Sequence, residues 1–314
     1  MIRKELKFDN IEQILEFTKH FSTGEIIEYA QFLRKKYFSN KIELCSISNI
    51  KSGLCPEDCK YCAQSSFYNT NIMEYDLQPV EKILPLAEEM KNKNVKSFSL
   101  VTSGRTPDDK DFEKIIEIIK IIKSKVDISI CVSIGFLSKE RVKKLKEAGV
   151  TKCHHNLETG PNFFEKICTT HTYKDKLETI KNIKEIGLEV CSGGIFGLGE
   201  SLKDRIEMAF ELKKLGVKSI PINILRTIKG TPLENIPRIN EDELLLSIAL
   251  VRIINPDATI RIAGGRPFFK EKENEKLIGA GINAFMVGNY LTTTGIPIEE
   301  DLSFFKNNGY LIIK

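Results

Sequence analysis

Three cysteines crowd one short stretch of this chain, Cys55-Pro-Glu-Asp-Cys59-Lys-Tyr-Cys62-Ala-Gln. The spacing C-x3-C-x2-C sets three thiolates within eight residues. Thiolates are soft ligands that suit iron–sulfur clusters, zinc or Cu(I). Structural zinc takes four ligands, usually from paired C-x2-C knuckles, and no fourth Cys or His lies within this stretch. Three protein ligands on a cubane cluster leave one iron open, and an open iron can bind a substrate directly. A structural metal knot or a coincidental cluster is the competing reading.

Five further cysteines, Cys45, Cys131, Cys153, Cys168 and Cys191, complete a total of eight. In a large chain without a secretion signal, metal or redox chemistry is a better reading than disulfides. Cys45 reads as a small apolar core residue on a strand. Residues 152–159 read Lys-Cys-His-His-Asn-Leu-Glu-Thr. Neighbours on a strand point to opposite faces, so His154 and His155 are not expected to ligate one ion. Residues 190–200 are rich in glycine, which lets a backbone approach a flat ligand, although any strand-to-helix turn can hold such a run.

These residues need a scaffold, and the sequence has a regular beat. Short β-branched runs at 43–47, 97–102, 127–134, 151–157, 188–195, 219–225, 259–263 and 283–287 read as strands. Amphipathic patterns at 80–93, 110–125, 138–148, 173–186, 202–215, 241–253 and 269–279 read as intervening helices. Several of these helices end at a glycine before the next strand: Gly149, Gly187, Gly216 and Gly281. Eight alternating units predict an α/β fold, a closed (β/α)8 TIM-type barrel, with a doubly wound open sheet as the alternative. The expected boundaries are an N-terminal helical extension over 1–40, the barrel over 41–290, and a C-terminal tail over 291–314 with one helical turn or two. In a barrel the strand C-terminal ends mark the active face. The long cysteine-bearing segment after the first strand then lies on that face.

Composition narrows the class. The chain has 314 residues, 41% hydrophobic and 29% charged, with a net charge of +4. That composition excludes disorder and gives no argument for nucleic acid or an anionic membrane. No run approaches the roughly 18 apolar residues of a spanning helix, and the start lacks an apolar signal region. A cytoplasmic location is expected.

The cysteine loop is the signature of the radical S-adenosylmethionine superfamily, and residues 55–66 resemble the cluster loop of its biotin synthase family. The resemblance extends over roughly residues 40–295. Residues 154–159 are similar to that family's Asn-His-Asn-Leu-Asp-Thr stretch, with His154 replacing the first Asn. Residues 191–200 match its Cys-Ser-Gly-Gly-Ile run, and residues 219–232 are similar to its sixth strand and the turn beyond. The resemblance implies that Cys55, Cys59 and Cys62 hold a [4Fe-4S] cluster whose open iron chelates S-adenosylmethionine. Homolysis of a C–S bond then yields a 5′-deoxyadenosyl radical. Tyr61, Asn156, Glu158 and Ile195 are implied as cofactor contacts, with Glu158 on the ribose hydroxyls. Asn156 and Asn223 are implied to meet the cyclic urea of dethiobiotin. An amide offers donor and acceptor together, as a ureido group requires; a turn-capping role for Asn223 is the alternative.

The resemblance also implies an auxiliary cluster deeper in the barrel, in its best-known form a [2Fe-2S] cluster on three Cys and one Arg. Cys131, Cys191 and Arg261 match, and Ser99 stands at the third cysteine position. Serine is a harder ligand, so Cys153 and Cys168 are expected as alternatives, and the cluster is either [2Fe-2S] or a larger variant. Arg261 as a core ion-pair partner is the competing reading. Cys191 and Arg261 are the residues implied to act in catalysis, by holding the sulfur donor. The implied reaction inserts sulfur between two saturated carbons of dethiobiotin, with an electron donor such as flavodoxin or ferredoxin and a homodimeric state. A hydrogenase maturase and a methylornithine synthase share the fold and the loop. A non-catalytic zinc or electron-transfer protein is the rival of another class.

Overall fold

The computed structural model describes residues 4–266, 273–289, 291 and 295–313. Two helices lead, α1 (Ile11–His20) and α2 (Thr23–Phe38). Asn10 caps the first, and a Ser22–Glu25 capping box starts the second. The strands β1 (Lys41–Lys51), β2 (Ser97–Thr102), β3 (Ser129–Ser133), β4 (Val150–His154), β5 (Glu189–Cys191), β6 (Gly194–Phe196), β7 (Ser219–Ile224), β8 (Thr259–Ile262) and β9 (Ala284–Met286) follow. All pair in parallel, and β9 pairs back onto β1, so the sheet closes and the open-sheet alternative falls. The expected strand over 188–195 is split into β5 and β6, and both halves pair with β7.

The connecting helices are α3 (Val80–Asn92), α4 (Asp109–Lys125), α5 (Lys139–Glu147), α6 (Tyr173–Glu185), α7 (Leu202–Lys214), α8 (Glu241–Ile254) and α9 (Glu273–Gly279). The part of the expected last helix over 269–272 lies outside the described residues. Gly149, Gly187, Gly216 and Gly281 all have positive φ, as a residue closing a helix before a strand often does.

Strand alternation sorts the side chains. Ile42 and Leu44, Phe98 and Leu100, Ile130 and Val132, Ile220 and Ile222, and Ile260 and Ile262 pack into one apolar core. Their neighbours Cys45, Ser99, Cys131, Pro221 and Arg261 line the lumen instead. The aliphatic parity therefore faces the helices, and the polar and sulfur parity faces the axis.

The C-terminal segment is more structured than a turn or two. It forms α10 (Ile298–Asn307) and β10 (Leu311–Ile313), and β10 pairs with the start of β1. Phe304 and Phe305 are buried there, with Phe305 against Phe285 of β9. Arg266 and Asp301 form a buried ion pair between the barrel and α10. No helix among the described residues is long and apolar enough to cross a membrane.

Helices α1 and α2 share the barrel's core: Ile14, Phe17, Ile26, Tyr29 and Leu33 belong to the same apolar cluster as the residues of α8. Leu33 is fully buried. Leu33→Ala should therefore cost about 2–5 kcal/mol of stability, read as a lower denaturant midpoint of the anaerobically handled apoprotein.

Candidate functional site

A cavity of about 460 Å³ opens at the C-terminal ends of the strands. Cys55, Cys59, Tyr61 and Cys62 border it from the loop after β1, and Asn156, Glu158, Ile195 and Asn223 border it from the barrel. Deeper residues of the same cavity are Ser99, Cys131, Cys191 and Arg261. One lumen thus collects both groups that the sequence separates.

The cysteine loop is pinned by its two acidic residues. Cys55 N–H donates to Gln64 O at 2.9 Å, and Cys62 N–H donates to Cys59 O at 2.9 Å, folding the loop on itself. Asp58 accepts from the backbone N–H groups of Thr169 and Thr170 at 2.8 and 3.1 Å. Glu57 is buried and accepts from Arg105 at 3.0 Å and Thr170 Oγ1 at 2.5 Å, and it is also hydrogen-bonded to His171. Burial opposes the charge of Glu57, but Thr170, His171 and Arg105 outweigh it and hold the carboxyl below its ordinary range. The Pro-Glu-Asp between the first two cysteines is therefore the clamp of the loop. Sequence reasoning gave these two acids no role.

The wall opposite the loop is built by close backbone approach. Glu158 has φ 71°, and its carbonyl accepts from Ile195 N–H at 2.8 Å. A Cβ on Gly194 would sit 2.4 Å from Glu158 O, and one on Gly193 would sit 1.9 Å from Pro221 O. These two glycines let strand segments touch one another. Asn156 accepts from Gly193 N–H at 3.0 Å and donates to Glu158 Oε2 at 3.2 Å. Asn223 accepts from Gly264 N–H at 2.8 Å and donates to Gly194 O at 3.2 Å. Each amide retains one N–H and one lone pair for a ligand.

At the floor, Arg261 donates to Glu43 Oε1 at 2.5 Å and to Ser219 Oγ at 3.2 Å. Glu43 takes Lys96 on its other oxygen at 2.7 Å. Arg261 is therefore an ion-pair partner and also faces the lumen thiols, so the two readings of it coexist. Cys191 accepts from Ser219 Oγ at 3.3 Å. Burial pushes the Cys191 thiol up, but His154, Arg261 and Lys152 outweigh it and bring it down to about 6. Burial raises Cys131 to about 12.

Three cysteines stand elsewhere than expected. Cys45 lines the lumen, and its nearest charges include Arg261 and Cys191; burial raises its thiol to about 11. It shares the parity of Ile47, whereas Leu44 faces the helices. Cys153 points the other way, into the apolar layer, with no exposure, and is no candidate for the auxiliary site. Cys168 lies against Cys59, with sulfurs 3.8 Å apart, and belongs to the cysteine loop rather than to the floor. His154 and His155 both border the cavity because β4 ends at His154 and the alternation stops. They serve different neighbours. His154 bonds Cys191, while the ring of His155 lies 5.0 Å from that of Phe136.

The family pattern described as Radical SAM superfamily matches residues 49–224, and that described as Biotin and Thiamin Synthesis associated domain matches residues 221–311. A biotin synthase of Clostridium tetani is 46% identical over 306 residues, covering 98% of this chain and 94% of the relative. Those of Acetivibrio thermocellus and Campylobacter hominis are 49% and 50% identical, covering 95% and 93% of this chain and 93% and 90% of theirs. This chain belongs to the biotin synthase family. Among solved structures, methylornithine synthase has a TM-score of 0.84 at 16% identity, covering 97% of this chain and 94% of its own. The hydrogenase maturase HydG of Carboxydothermus hydrogenoformans has 0.81 at 19%, covering 96% and 79%. These two share the barrel.

Biotin synthases of this superfamily use a [4Fe-4S] cluster, S-adenosylmethionine and an auxiliary iron–sulfur cluster. The cavity fits such groups. Its rim and its floor each carry three thiols, and Thr102 Oγ1, Ser103 Oγ, His155 Nε2 and Arg261 Nε are buried around it without a protein partner. Gly194→Ala should cost about 1–3 kcal/mol by overpacking and weaken S-adenosylmethionine binding. Thermal melts and calorimetry of the reconstituted protein read both effects.

Proposed function

We propose that this chain carries out the reaction of its family, the insertion of sulfur between two saturated carbons of dethiobiotin, with the residues of this one lumen in distinct roles. The observation that carries the reading is the stacking of two thiol groups along one axis. Cys55, Cys59 and Cys62 stand at the rim, and Cys45, Cys131 and Cys191 stand beside Arg261 below. When bound, the groups at these sites supply a hydrogen-abstracting 5′-deoxyadenosyl radical and the sulfur that is inserted.

The chain's own work is placement. Cys55, Cys59 and Cys62 hold the [4Fe-4S] cluster, and three ligands leave one iron for S-adenosylmethionine. Glu158 offers a carboxylate to vicinal ribose hydroxyls, while Tyr61 and Ile195 flank the cofactor. Asn156 and Asn223, each with a donor and an acceptor spare, hold the ureido group. Both amides are anchored to backbone, so their orientation is set before substrate arrives. Apolar lining from Ile47, Val101, Phe136 and Met286 keeps water from reactive carbon.

At the floor, Cys131, Cys191, Arg261 and Cys45 hold the auxiliary cluster. Cys45 supplies the thiol that Ser99 lacks. Ser99 instead hydrogen-bonds Cys131 from the neighbouring strand. Glu43 and Lys96 keep Arg261 in place. A flavodoxin- or ferredoxin-type donor supplies electrons, and the enzyme works as a cytoplasmic homodimer.

Anaerobic reconstitution with iron and sulfide, followed by product analysis with dethiobiotin and a reductant, tests the reading. Biotin and 5′-deoxyadenosine are the expected products, and Cys59→Ala should abolish both. Normal deoxyadenosine formation by that variant would refute the assignment of the rim cysteines. Cys45→Ala should leave the rim cluster intact but lower the iron and sulfide bound per chain. The loss should match that of Cys131→Ala, and Ser99→Ala should lose less; iron and sulfide analysis with Mössbauer spectra decides.

A further inference from the structure

Cys168 is a buried thiol that the reaction above does not use. It follows a 3-10 turn at Phe164–Lys166 and lies in a small apolar cluster with Phe163, Phe164, Ile167 and Leu198. Cys59 and Tyr61 pack on that cluster from the cysteine loop. The Cys168 sulfur is 3.8 Å from Cys59 Sγ, 3.3 Å from His171 Nδ1, 3.2 Å from Asp58 Oδ1 and 3.6 Å from Thr170 Oγ1.

Proton counting decides what this contact becomes. In the metal-free protein Cys59 donates its S–H to Cys168. A thiolate bound to iron has no proton and can only accept. The contact between the two sulfurs then persists as a hydrogen bond only if Cys168 donates. Its other acceptor is already crowded. Asp58 Oδ1 accepts from Thr169 N–H at 2.8 Å and Thr170 N–H at 3.1 Å, while the Thr170 hydroxyl gives its proton to Glu57 at 2.5 Å. Cys168 also donates to this oxygen at 3.2 Å, as a third donor on about two lone-pair sites, so it is the donor most readily drawn away. His171 Nδ1, at 3.3 Å, carries the proton that it gives to Glu57, so it takes none from Cys168. That ring is fixed by its bond to Glu57 and by Phe136 and Phe164, with ring centroids at 5.1 and 5.5 Å. The sulfur is thus held within hydrogen-bond reach of Cys59 Sγ, at 3.8 Å.

The geometry points to Cys168 as a positioning residue of the rim cluster: it donates an S–H···S hydrogen bond to the Cys59 thiolate and makes the cluster easier to reduce. Hydrogen bonds to cluster sulfurs and exclusion of solvent are two of the levers that set iron–sulfur potentials. A donor at the thiolate stabilises the added negative charge of the reduced state. The inference rests on the assignment of Cys59 as an iron ligand and deepens it.

The test is a redox titration of the anaerobically reconstituted protein, followed by the EPR signal of the reduced [4Fe-4S] cluster. Cys168→Val removes the donor and fills the space, Cys168→Ala removes the donor and leaves the space, and Cys168→Ser keeps an O–H donor. The Val and Ala variants should bind the parent's complement of rim-cluster iron. Their midpoints should be more negative by about a tenfold change in the reduction equilibrium, which is about 59 mV for one electron. The Ser variant should recover at least half of that shift. Val and Ala midpoints equal to the parent's, or more positive, overturn the inference while leaving the Cys59 assignment standing. A parent protein that assembles no rim cluster overturns both.

Discussion

Closure of a parallel sheet into a barrel gives every strand one face toward the helices and one toward the axis, and the site depends on that division. In this chain the outward parity is aliphatic almost throughout: Leu44, Phe98, Leu100, Val132, Val190, Ile220 and Ile260 are all buried in one core. The inward parity carries Cys45, Ser99, Cys131, Lys152, Cys191 and Arg261. Such residues cannot pack into the dry aliphatic layers that usually fill a small barrel. The lumen therefore stays open as a cavity of about 460 Å³, and its polar lining is an asset only with a polar occupant. A buried guanidinium at the floor also needs a counter-charge. Glu43 supplies it, and the remaining guanidinium edge is turned to the thiols. Such a pair gives little net stability, because desolvation offsets its attraction; its consequence here is a fixed cation beside Cys191.

Most of the scaffold was legible because its signals are local. The eight strand positions follow from β-branched runs, and the helix ends follow from glycines whose φ is positive in the fold. The split of the fifth strand was not legible. It arises where Gly193 approaches the Pro221 carbonyl, a contact between segments almost thirty residues apart. The C-terminal helix exceeds the turn or two that its sequence suggests because its reason is tertiary, the packing of Phe305 on Phe285.

The cysteines show where sequence reading needs one more step. Cys45 looks like a small core residue among apolar neighbours. The parity of its own strand places it correctly, since Ile42 and Leu44 occupy the aliphatic face while Glu43 and Cys45 share the other. A charged residue two positions before a cysteine marks the axis side. The same rule removes Cys153, which alternates with Lys152 and His154. No periodicity could place Cys168, because it lies on a loop. Its partner Cys59 is 109 residues away. The acids of Pro-Glu-Asp carry the hint, since two carboxylates set between closely spaced cysteines must find donors elsewhere, and they find them at residues 105 and 168–171.

The floor thiols also differ among themselves in a way that bears on how a cluster is received. Burial raises Cys45 to about 11 and Cys131 to about 12, whereas His154, Arg261 and Lys152 bring Cys191 down to about 6. Thiolates, not thiols, take iron. Of the three, Cys191 is the one whose neighbours favour the thiolate. Iron bound at Cys191, as proposed above, would add positive charge beside Cys131 and Cys45 and lower the cost of ionising each in turn. The cationic side of the lumen thus sets an order. On the reading proposed above, Cys191 is the first of the three to take iron, and Cys131 and Cys45 follow.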